Sequence, residues 1–211
     1  MDQNTPPTAS DLFGSGTEKQ STRDRLIEVA LDLFYERGFH AVGIDSILSR
    51  VGVTKTTFYN HFESRDALAV EAIRRRDDWE TDFYRRRVAE IAGDDPKAQL
   101  LALFTLLDEM FNDTQYAGCL FINACAEFPT RSDPVHQAAE AHYTKVHASL
   151  TDLAKQVGVD DPQSLASQWI VLCQGAITLR LISGDSQAAL HAGEVAQQLL
   201  DAAIQKASKP D

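Results

Sequence analysis

Cysteine is scarce in this sequence: the chain of 211 residues contains three, Cys119, Cys125 and Cys173. Three scattered thiols cannot form a disulfide framework, and none lies in a C-x-x-C pair that would bind a metal. We interpret them as buried free thiols, with oxidation sensing as the alternative. A disulfide between Cys119 and Cys125 within one helix is unfavourable, because six residues place the side chains about 240° apart.

Targeting signals are also missing. Residues 1–20, MDQNTPPTASDLFGSGTEKQ, have no apolar run behind a basic start, which argues against a secretory signal. No later stretch is expected to reach the length of a membrane-spanning helix, so we expect a cytoplasmic protein with no membrane partner. The prolines, glycines and serines of residues 1–20 predict a disordered N-terminal arm.

Catalytic motifs are lacking as well. The sequence has no H-E-x-x-H, nucleophile elbow, phosphate-binding loop or paired E-x-x-H motif, so we expect no enzyme, no cofactor and no metal. One pattern leaves an alternative open, since His136, Glu140, Tyr143 and His147 recur at helical spacing and could supply metal ligands. The row lies at the polar border of an apolar stripe, which favours a partly solvated face.

Acidic residues, in contrast, are abundant and unevenly placed. The chain has 20 Lys and Arg against 31 Asp and Glu, a net charge of -11. Up to Arg76 the counts are 10 against 11, whereas from Asp77 onward they are 10 against 20. A strongly acidic body repels DNA. The nearly neutral N-terminal third is therefore where a nucleic acid could bind.

Apolar residues recur with helical rather than strand periodicity, so the sequence predicts an all-α fold of three short helices followed by about six longer ones. Thr17 or Ser21 caps the first helix and Gly38 ends it; the second ends at Gly52, and Thr54 caps the third. Asp-Pro pairs at 95–96, 133–134 and 161–162 begin later helices.

The third predicted helix lies in the segment VGVTKTTFYNHF, residues 51–62, and has two unlike faces. Phe58 and Phe62 share one face at i, i+4 and are expected in the core. The step of 100° per residue directs several of the short polar side chains outward, with one cation and one amphipathic ring. Such a surface suits a helix in a DNA major groove, although a module that packs on a protein partner has the same helical pattern.

The run from Arg23 to Leu68 closely resembles the N-terminal domain of the tetracycline-repressor-like (TetR/AcrR) family of bacterial transcription regulators. The matching residues are A-x-x-L-F-x-x-x-G-F-x-A at 30–41, then Ile47, the block V-G-V-T-K-x-T-x-Y-x-H-F at 51–62, and Arg65, Ala67 and Leu68. The resemblance covers about 45 residues in register. It implies a helix-turn-helix domain over 21–66 and a regulatory ligand-binding and dimerisation domain over 67–211.

The resemblance also implies roles for individual positions. Lys55, Thr56, Tyr59 and Asn60 would lie in or along the groove. Tyr59 and His61 would bind or support backbone phosphate, and Arg65 would contact another phosphate. The candidate DNA-binding residues are Thr54, Lys55, Thr56, Thr57, Tyr59, Asn60, His61 and Arg65. Gly43 departs from the family, which usually has Ser or Thr there as the cap of the second helix.

The resemblance further implies that the last two predicted helices, residues 163–183 and 185–204, form a homodimer. The first is apolar around most of its circumference, and Ala166, Gly175 and Ala176 would permit close approach. Large apolar residues are candidates for a ligand pocket, with ordinary core packing as the alternative for each. They are Trp79, Phe83, Phe104, Leu107, Phe111, Phe121 and Trp169.

The resulting hypothesis is a ligand-responsive transcriptional repressor. It would bind a palindromic DNA operator as a dimer and be released by an apolar or amphipathic small-molecule effector. Two alternatives remain: a regulator that activates on the same scaffold, and a helical interaction protein that has lost DNA binding. The intact block at residues 51–62 argues against the second.

Overall fold

The computed structural model describes residues 21–114 and 116–207, so the predicted disordered arm over residues 1–20 lies outside the described residues. The described chain is helical and contains no strand, which confirms the predicted all-α fold. Its helices are α1 (Thr22–Arg37), α2 (Ile44–Val51), α3 (Lys55–Tyr59), α4 (Arg65–Ala92), α5 (Pro96–Phe111), α6 (Leu120–Glu127), α7 (Pro134–Val157), α8 (Pro162–Ser183) and α9 (Ala188–Ala207).

Helix starts follow the capping signals of the sequence. The hydroxyl of Ser21 accepts a hydrogen bond from the Asp24 amide at 3.1 Å at the start of α1. Asp95 and Asp161 cap α5 and α8, each directly before a proline. These contacts satisfy amide groups that have no partner within the first turn of a helix. Gly43 begins α2 without a side-chain cap.

Two glycines end the first two helices as the sequence predicts. Gly52 follows α2 with φ 78° and ψ 41°, the left-handed conformation that glycine adopts without steric cost. Gly38 follows α1 with φ 82° and ψ 163°, and its amide donates to the Phe34 carbonyl at 2.9 Å. The chain therefore turns sharply at both positions before the next helix begins.

The described residues form two compact units. The first, here called the N-terminal unit, comprises residues 21–81 and 119–142, and the second, the C-terminal unit, comprises residues 82–118 and 143–207, with residue 115 undescribed. Segment 119–142 belongs to the same unit as α1 to α3, although at least 59 residues of sequence separate it from them. The division into a DNA-binding domain at 21–66 and a regulatory domain at 67–211 concerns function and stays a prediction.

The C-terminal unit is built around the buried Trp169. Its ring packs against Phe104 with centroids 5.9 Å apart, and its indole N–H donates to the Leu100 carbonyl at 2.9 Å. A β-carbon at Gly193 would lie 3.1 Å from the β-carbon of Phe104, so a glycine lets α9 approach α5 closely. The indole is fully satisfied, which is typical of a structural core residue.

The expectation that no stretch reaches membrane-spanning length is wrong for α8. By length and composition this helix, Pro162–Ser183, could cross a membrane, and 22% of its most apolar window is buried. The expectation failed because arginine at position 180 is the one charged side chain in the helix. Core helices of soluble proteins meet the same criterion, so the finding alone is weak support for a membrane span.

The three cysteines are free, and each is half-buried where full burial was expected. Cys119 precedes the first residue of α6 rather than lying within the helix. Burial raises the pKa of the Cys173 thiol to about 12, and burial followed by the charge of Glu140 raises the pKa of Cys125. Both thiols therefore stay protonated near neutral pH, which disfavours oxidation sensing by these two residues.

Candidate nucleic-acid interface

Helix α3 is held by its apolar side and exposes its polar side. Phe58 is fully buried and Phe62 nearly so, with ring centroids 5.7 Å apart. Thr54 caps the helix by accepting from the Thr57 amide at 3.2 Å, and its hydroxyl lies 3.0 Å from that of Thr57. The predicted inward placement of the two rings is confirmed.

The outward side carries most of the candidate DNA-binding residues. Tyr59 is 55% exposed, and the edge of its ring packs on Phe58 at 5.2 Å between centroids. The other exposed candidates are Thr54, Lys55, Thr56, Asn60 and His61, while Thr57 is half-buried. Within a stretch of eight residues the surface thus offers hydroxyl, amide, imidazole, phenol and ammonium groups. It matches the short polar side chains that hydrogen-bond to base edges and phosphates.

The cation of this surface has an acidic neighbour that sequence reasoning missed. The Lys55 ammonium lies 2.9 Å from the Asp45 carboxylate, and both side chains are well exposed. The hydrogen bond to Asp45, followed by its charge, raises the pKa of Lys55. Asp45 and Lys55 lie on two consecutive helices, so the i, i+3 and i, i+4 spacings that indicate ion pairs within one helix do not apply. The sequence therefore did not predict this pair.

Arg65, predicted to contact phosphate, lies at the start of α4 and is largely enclosed. Its Nε donates to the Val42 carbonyl at 2.7 Å, a second nitrogen donates to the Phe39 carbonyl, and the third pairs with Asp66 at 2.6 Å. The guanidinium also lies over the Phe34 ring, 5.3 Å from its centroid. A phosphate contact by Arg65 stays a prediction, and it would compete with these protein contacts.

Two ion pairs join α1 to α4 beside the interface. Arg23 lies 2.6 Å from Glu71, and Arg75 lies 3.0 Å from Asp24. The hydrogen bond from Arg23 lowers the pKa of Glu71. The hydrogen bond from Ser21 is the main cause of the lowered pKa of Asp24, with Arg75 contributing. Both carboxylates therefore stabilise the fold in their charged form.

The predicted pocket residues are divided between the two units. Phe104, Leu107, Phe111 and Trp169 belong to the buried core of the C-terminal unit, and Phe83 packs on a smaller apolar cluster of the same unit. The other two, Trp79 and Phe121, lie in the N-terminal unit. Their role as ligand contacts stays a prediction.

A buried polar pair lies beside Phe121. The His142 ring stacks on the Phe121 ring at 3.7 Å between centroids, and its Nδ1 lies 2.9 Å from the Asp77 carboxylate. Both residues are less than a tenth exposed. The carboxylate partner of His142 lies 65 positions away in the sequence and was not predicted.

The row considered for metal binding is engaged in other contacts. The Nδ1 atom of His136 lies 2.7 Å from the Phe128 carbonyl, Glu140 pairs with Arg131 at 3.3 Å, and Nε2 of His147 lies 3.1 Å from the Ser167 hydroxyl. Among the described residues, no group of three or more His, Cys, Asp or Glu side chains is arranged to hold a metal ion.

Helices α8 and α9 expose large apolar side chains. Val171 is 70% exposed and Ile182 is 78% exposed. The others are Leu179 and Leu181 on α8 and Leu190 and Val195 on α9. Of the three small residues expected to permit close approach, Ala166 and Ala176 are buried in the core of the protomer and face its other helices. Gly175 is exposed with open space around it.

Comparison with protein families gives two matches along the chain. Residues 26–72 match the model described as bacterial regulatory proteins of the tetR family. Residues 96–196 match the model described as the tetracyclin repressor-like C-terminal domain. Together the two stretches span more than half of the chain, and the first contains α2, α3 and Arg65.

Curated relatives and solved structures agree with these matches. The HTH-type transcriptional regulator YjdC of Escherichia coli K12 is 24% identical over 178 residues, covering 84% of this chain and 93% of YjdC. A crystal structure of a TetR-type transcriptional regulator from Streptomyces avermitilis superposes with a TM-score of 0.76 at 28% identity, covering 87% of this chain and 98% of that one.

Two further relatives are named for opposite effects on transcription. The transcriptional repressor KstR2 of Rhodococcus jostii is 32% identical over 117 residues, 56% of this chain and 54% of KstR2. The transcriptional activator FasR of Mycolicibacterium smegmatis is 27% identical over 135 residues, 64% of this chain and 61% of FasR. With the helix-turn-helix geometry and both domain matches in place, the chain belongs to the TetR family of transcriptional regulators and is not an enzyme.

Proposed function

We propose that this protein is a ligand-responsive repressor that binds a palindromic DNA operator as a homodimer. The observation that carries the proposal is the exposed polar side of α3, with Tyr59 outward and the Phe58 and Phe62 rings inward. Because buried rings hold one side of this short helix, its polar side can enter a major groove without a rearrangement of the domain core. The proposed cellular location is the cytoplasm, where the operator would be.

Specificity would be divided among the outward residues. Thr56 and Asn60 carry short hydrogen-bonding side chains that suit base edges, while Tyr59 and His61 suit phosphates. Lys55 would exchange Asp45 for a phosphate on binding, since a carboxylate 2.9 Å from the ammonium is repelled by the DNA backbone. At least one DNA contact, from Lys55 to a phosphate, would therefore replace an ion pair within the protein.

Dimerisation would use the exposed apolar side chains of α8 and α9. Six large apolar residues on these two consecutive helices are each more than 40% exposed, and grouped exposed apolar side chains are typical of protein contact sites. A second copy is the favoured occupant, because one five-residue helix makes too few base contacts and two related by symmetry read both halves of a palindrome.

The effector would be an apolar or amphipathic small molecule bound in the predicted regulatory domain, residues 67–211. Its binding would shift the regulator to a state in which the two α3 helices no longer fit successive major grooves. A coupling of about 1 to 3 kcal/mol would change operator affinity roughly 5- to 150-fold. Repression is the favoured direction, and the named relatives of both kinds make activation the alternative.

The test is DNA selection from a random library, followed by binding of the selected duplex across a salt series. The comparison variant carries Lys55→Ala and Tyr59→Ala, and leaves Arg65 intact because its guanidinium holds the neighbouring turn. We expect wild-type affinity to fall steeply with salt and the double variant to lose at least about tenfold. Equal binding by the two proteins would disprove docking through α3.

A further inference from the structure

The turn between α1 and α2, residues 38–43, is held by a side chain from a distant part of the sequence. Glu127, the last residue of α6, directs its carboxylate at two consecutive amides of this turn. The Phe39 amide donates to Oε1 at 2.8 Å, and the His40 amide donates to Oε2 at 2.6 Å. Both oxygens of one carboxylate are thus used on two neighbouring N–H groups, 88 and 87 positions away.

Gly38 provides the space for this contact. Its φ of 82° is a conformation that L side chains rarely adopt, and a β-carbon there would lie 2.8 Å from Oε1 of Glu127. Any side chain at this position would displace the carboxylate or the turn. The glycine therefore serves both the sharp end of α1 and the approach of Glu127.

Aromatic contacts surround the same point. The Phe128 ring meets Phe39 edge to face with centroids 5.9 Å apart and lies 4.8 Å from the His40 ring. The His40 imidazole is itself 3.3 Å from the Glu127 carboxylate. The end of α6 therefore contacts the turn in two ways: the Glu127 carboxylate accepts two hydrogen bonds, and the Phe128 ring packs on the rings of Phe39 and His40. Together these contacts restrict the position and the tilt of the turn.

Arg65 holds the opposite side of the turn. Its guanidinium donates to the carbonyls of Phe39 and Val42, while Glu127 accepts from the amides of Phe39 and His40. The Arg65 cation thus donates to carbonyl groups of the turn, and the Glu127 anion accepts from its amide groups. Hydrogen bonds with one charged partner are roughly twice as strong as neutral ones, so the turn has two strong supports.

We propose that Glu127 is a positioning residue for DNA binding: it fixes the α1–α2 turn and thereby the placement of α2 and α3, from a segment outside the helix-turn-helix. The inference rests on the proposed DNA-binding function. Helix α6 is separated from the end of α4 by 27 residues, so the residue that holds the turn lies far outside the helix-turn-helix in sequence.

The test uses the full chain with Glu127→Gln. The carboxamide keeps the shape but has one acceptor oxygen, and its NH₂ group would face an amide N–H, so only one of the two hydrogen bonds can form. Asp152→Asn is the matched control, because it removes one negative charge from an exposed pair with Lys155. Hydrogen exchange at the Phe39 and His40 amides is measured without DNA, and affinity is measured on the duplex selected by the wild type.

We expect exchange at one or both amides to accelerate at least about tenfold in Glu127→Gln and DNA affinity to fall about tenfold, with neither change in Asp152→Asn. Affinity is compared well below the thermal midpoint of each protein, where a purely stabilising residue would leave it unchanged. If Glu127→Gln only lowers that midpoint, Glu127→Ala, which removes both acceptors, should still weaken DNA binding by more than tenfold.

Three outcomes would overturn the proposal. Unchanged exchange at both amides would mean that the carboxylate does not hold the turn. Faster exchange with DNA binding equal to the control, in both Glu127 variants, would refute the positioning role. A wild-type chain that selects no DNA would refute the proposed function and the positioning role together, while the exchange data would still decide separately whether the contact exists.

Discussion

Helix α3 and the helix pair α8–α9 both expose side chains suited to binding a partner, but those of α3 are polar and those of α8–α9 are apolar. The first presents short polar groups around Tyr59 over a single turn and a half, and the second presents Val171, Ile182 and other apolar side chains along two long helices. Polar groups are well solvated when unbound, so α3 can release DNA and remain stable. Exposed apolar surface has no such solvation, and a lasting protein contact is its natural partner.

The largest expected effect comes from placing charge on the apolar side. With Val171→Glu and Ile182→Glu together, carboxylates would be buried against a second copy without partners, which costs several kcal/mol. We expect self-association to weaken by at least about 100-fold in sedimentation experiments. Gln156→Glu, which adds one of the same charges at an exposed site on α7, should leave it unchanged. A double variant that remains fully dimeric would place the interface elsewhere.

On the polar side, Tyr59→Ala should weaken binding to every DNA sequence by about tenfold, because the phenol is expected to contact the backbone rather than a base. Thr56→Ala should instead change the preferred bases, by about 1 to 3 kcal/mol at the contacted position. Repeating the library selection with both variants separates the two effects. If both variants selected the same DNA sequence and lost the same affinity, the assignment of Tyr59 to the backbone and of Thr56 to a base would be wrong.

A smaller effect, in the opposite direction, is expected at Asp45. Asp45→Asn removes the carboxylate that holds Lys55 and reduces repulsion of phosphate, so binding to DNA should strengthen about two- to fivefold at low salt. The gain should shrink as salt is raised. Glu36→Gln is a suitable comparison, since it removes a charge on α1 that pairs with Arg37 and Arg50 rather than with the α3 cation. No gain at low salt would mean that the pair does not limit DNA contact.

The smallest effect concerns acid stability of the polar region. The folded-state pKa values of Asp24 and Glu71 lie below their ordinary values of 3.8 and 4.5, so their contribution is present above those values and is lost as pH falls through the lowered ones. We expect the thermal midpoint to lose about 2 to 4 °C from these exposed pairs below pH 4. Arg23→Gln with Arg75→Gln should already lack at pH 7 the part of that stability that comes from the two arginines, and should show a flatter profile, while the part from Ser21 remains.

The sequence predicted what depends on neighbouring residues. Ser21, Thr54 and the Asp-Pro pairs act within one helical turn, and their helices begin where the pattern indicated. The two faces of α3 followed from a spacing of four residues. The family match at residues 26–72 confirmed the resemblance that these local patterns carried.

Contacts between distant residues were not predictable in the same way. Nothing near Glu127 in the sequence indicates that its carboxylate meets amides 87 and 88 positions away, and nothing near Ala166 or Ala176 shows which side of α8 faces the core. The enclosed position of Arg65 was missed for the same reason, because its acceptors are carbonyls, which every residue has. Local patterns fix the helices, whereas packing decides which polar groups remain for a partner.

The two tryptophans of the chain give each compact unit its own optical reporter. Trp169 lies fully buried in the C-terminal unit, with its indole N–H donated to a carbonyl, and Trp79 lies half-buried in the N-terminal unit with the Arg76 guanidinium 4.9 Å from its ring. Trp169 should therefore emit at shorter wavelength than Trp79. Replacing either one by phenylalanine leaves a single fluorophore, so unfolding and the arrival of an effector can be followed separately in the two units of one protein.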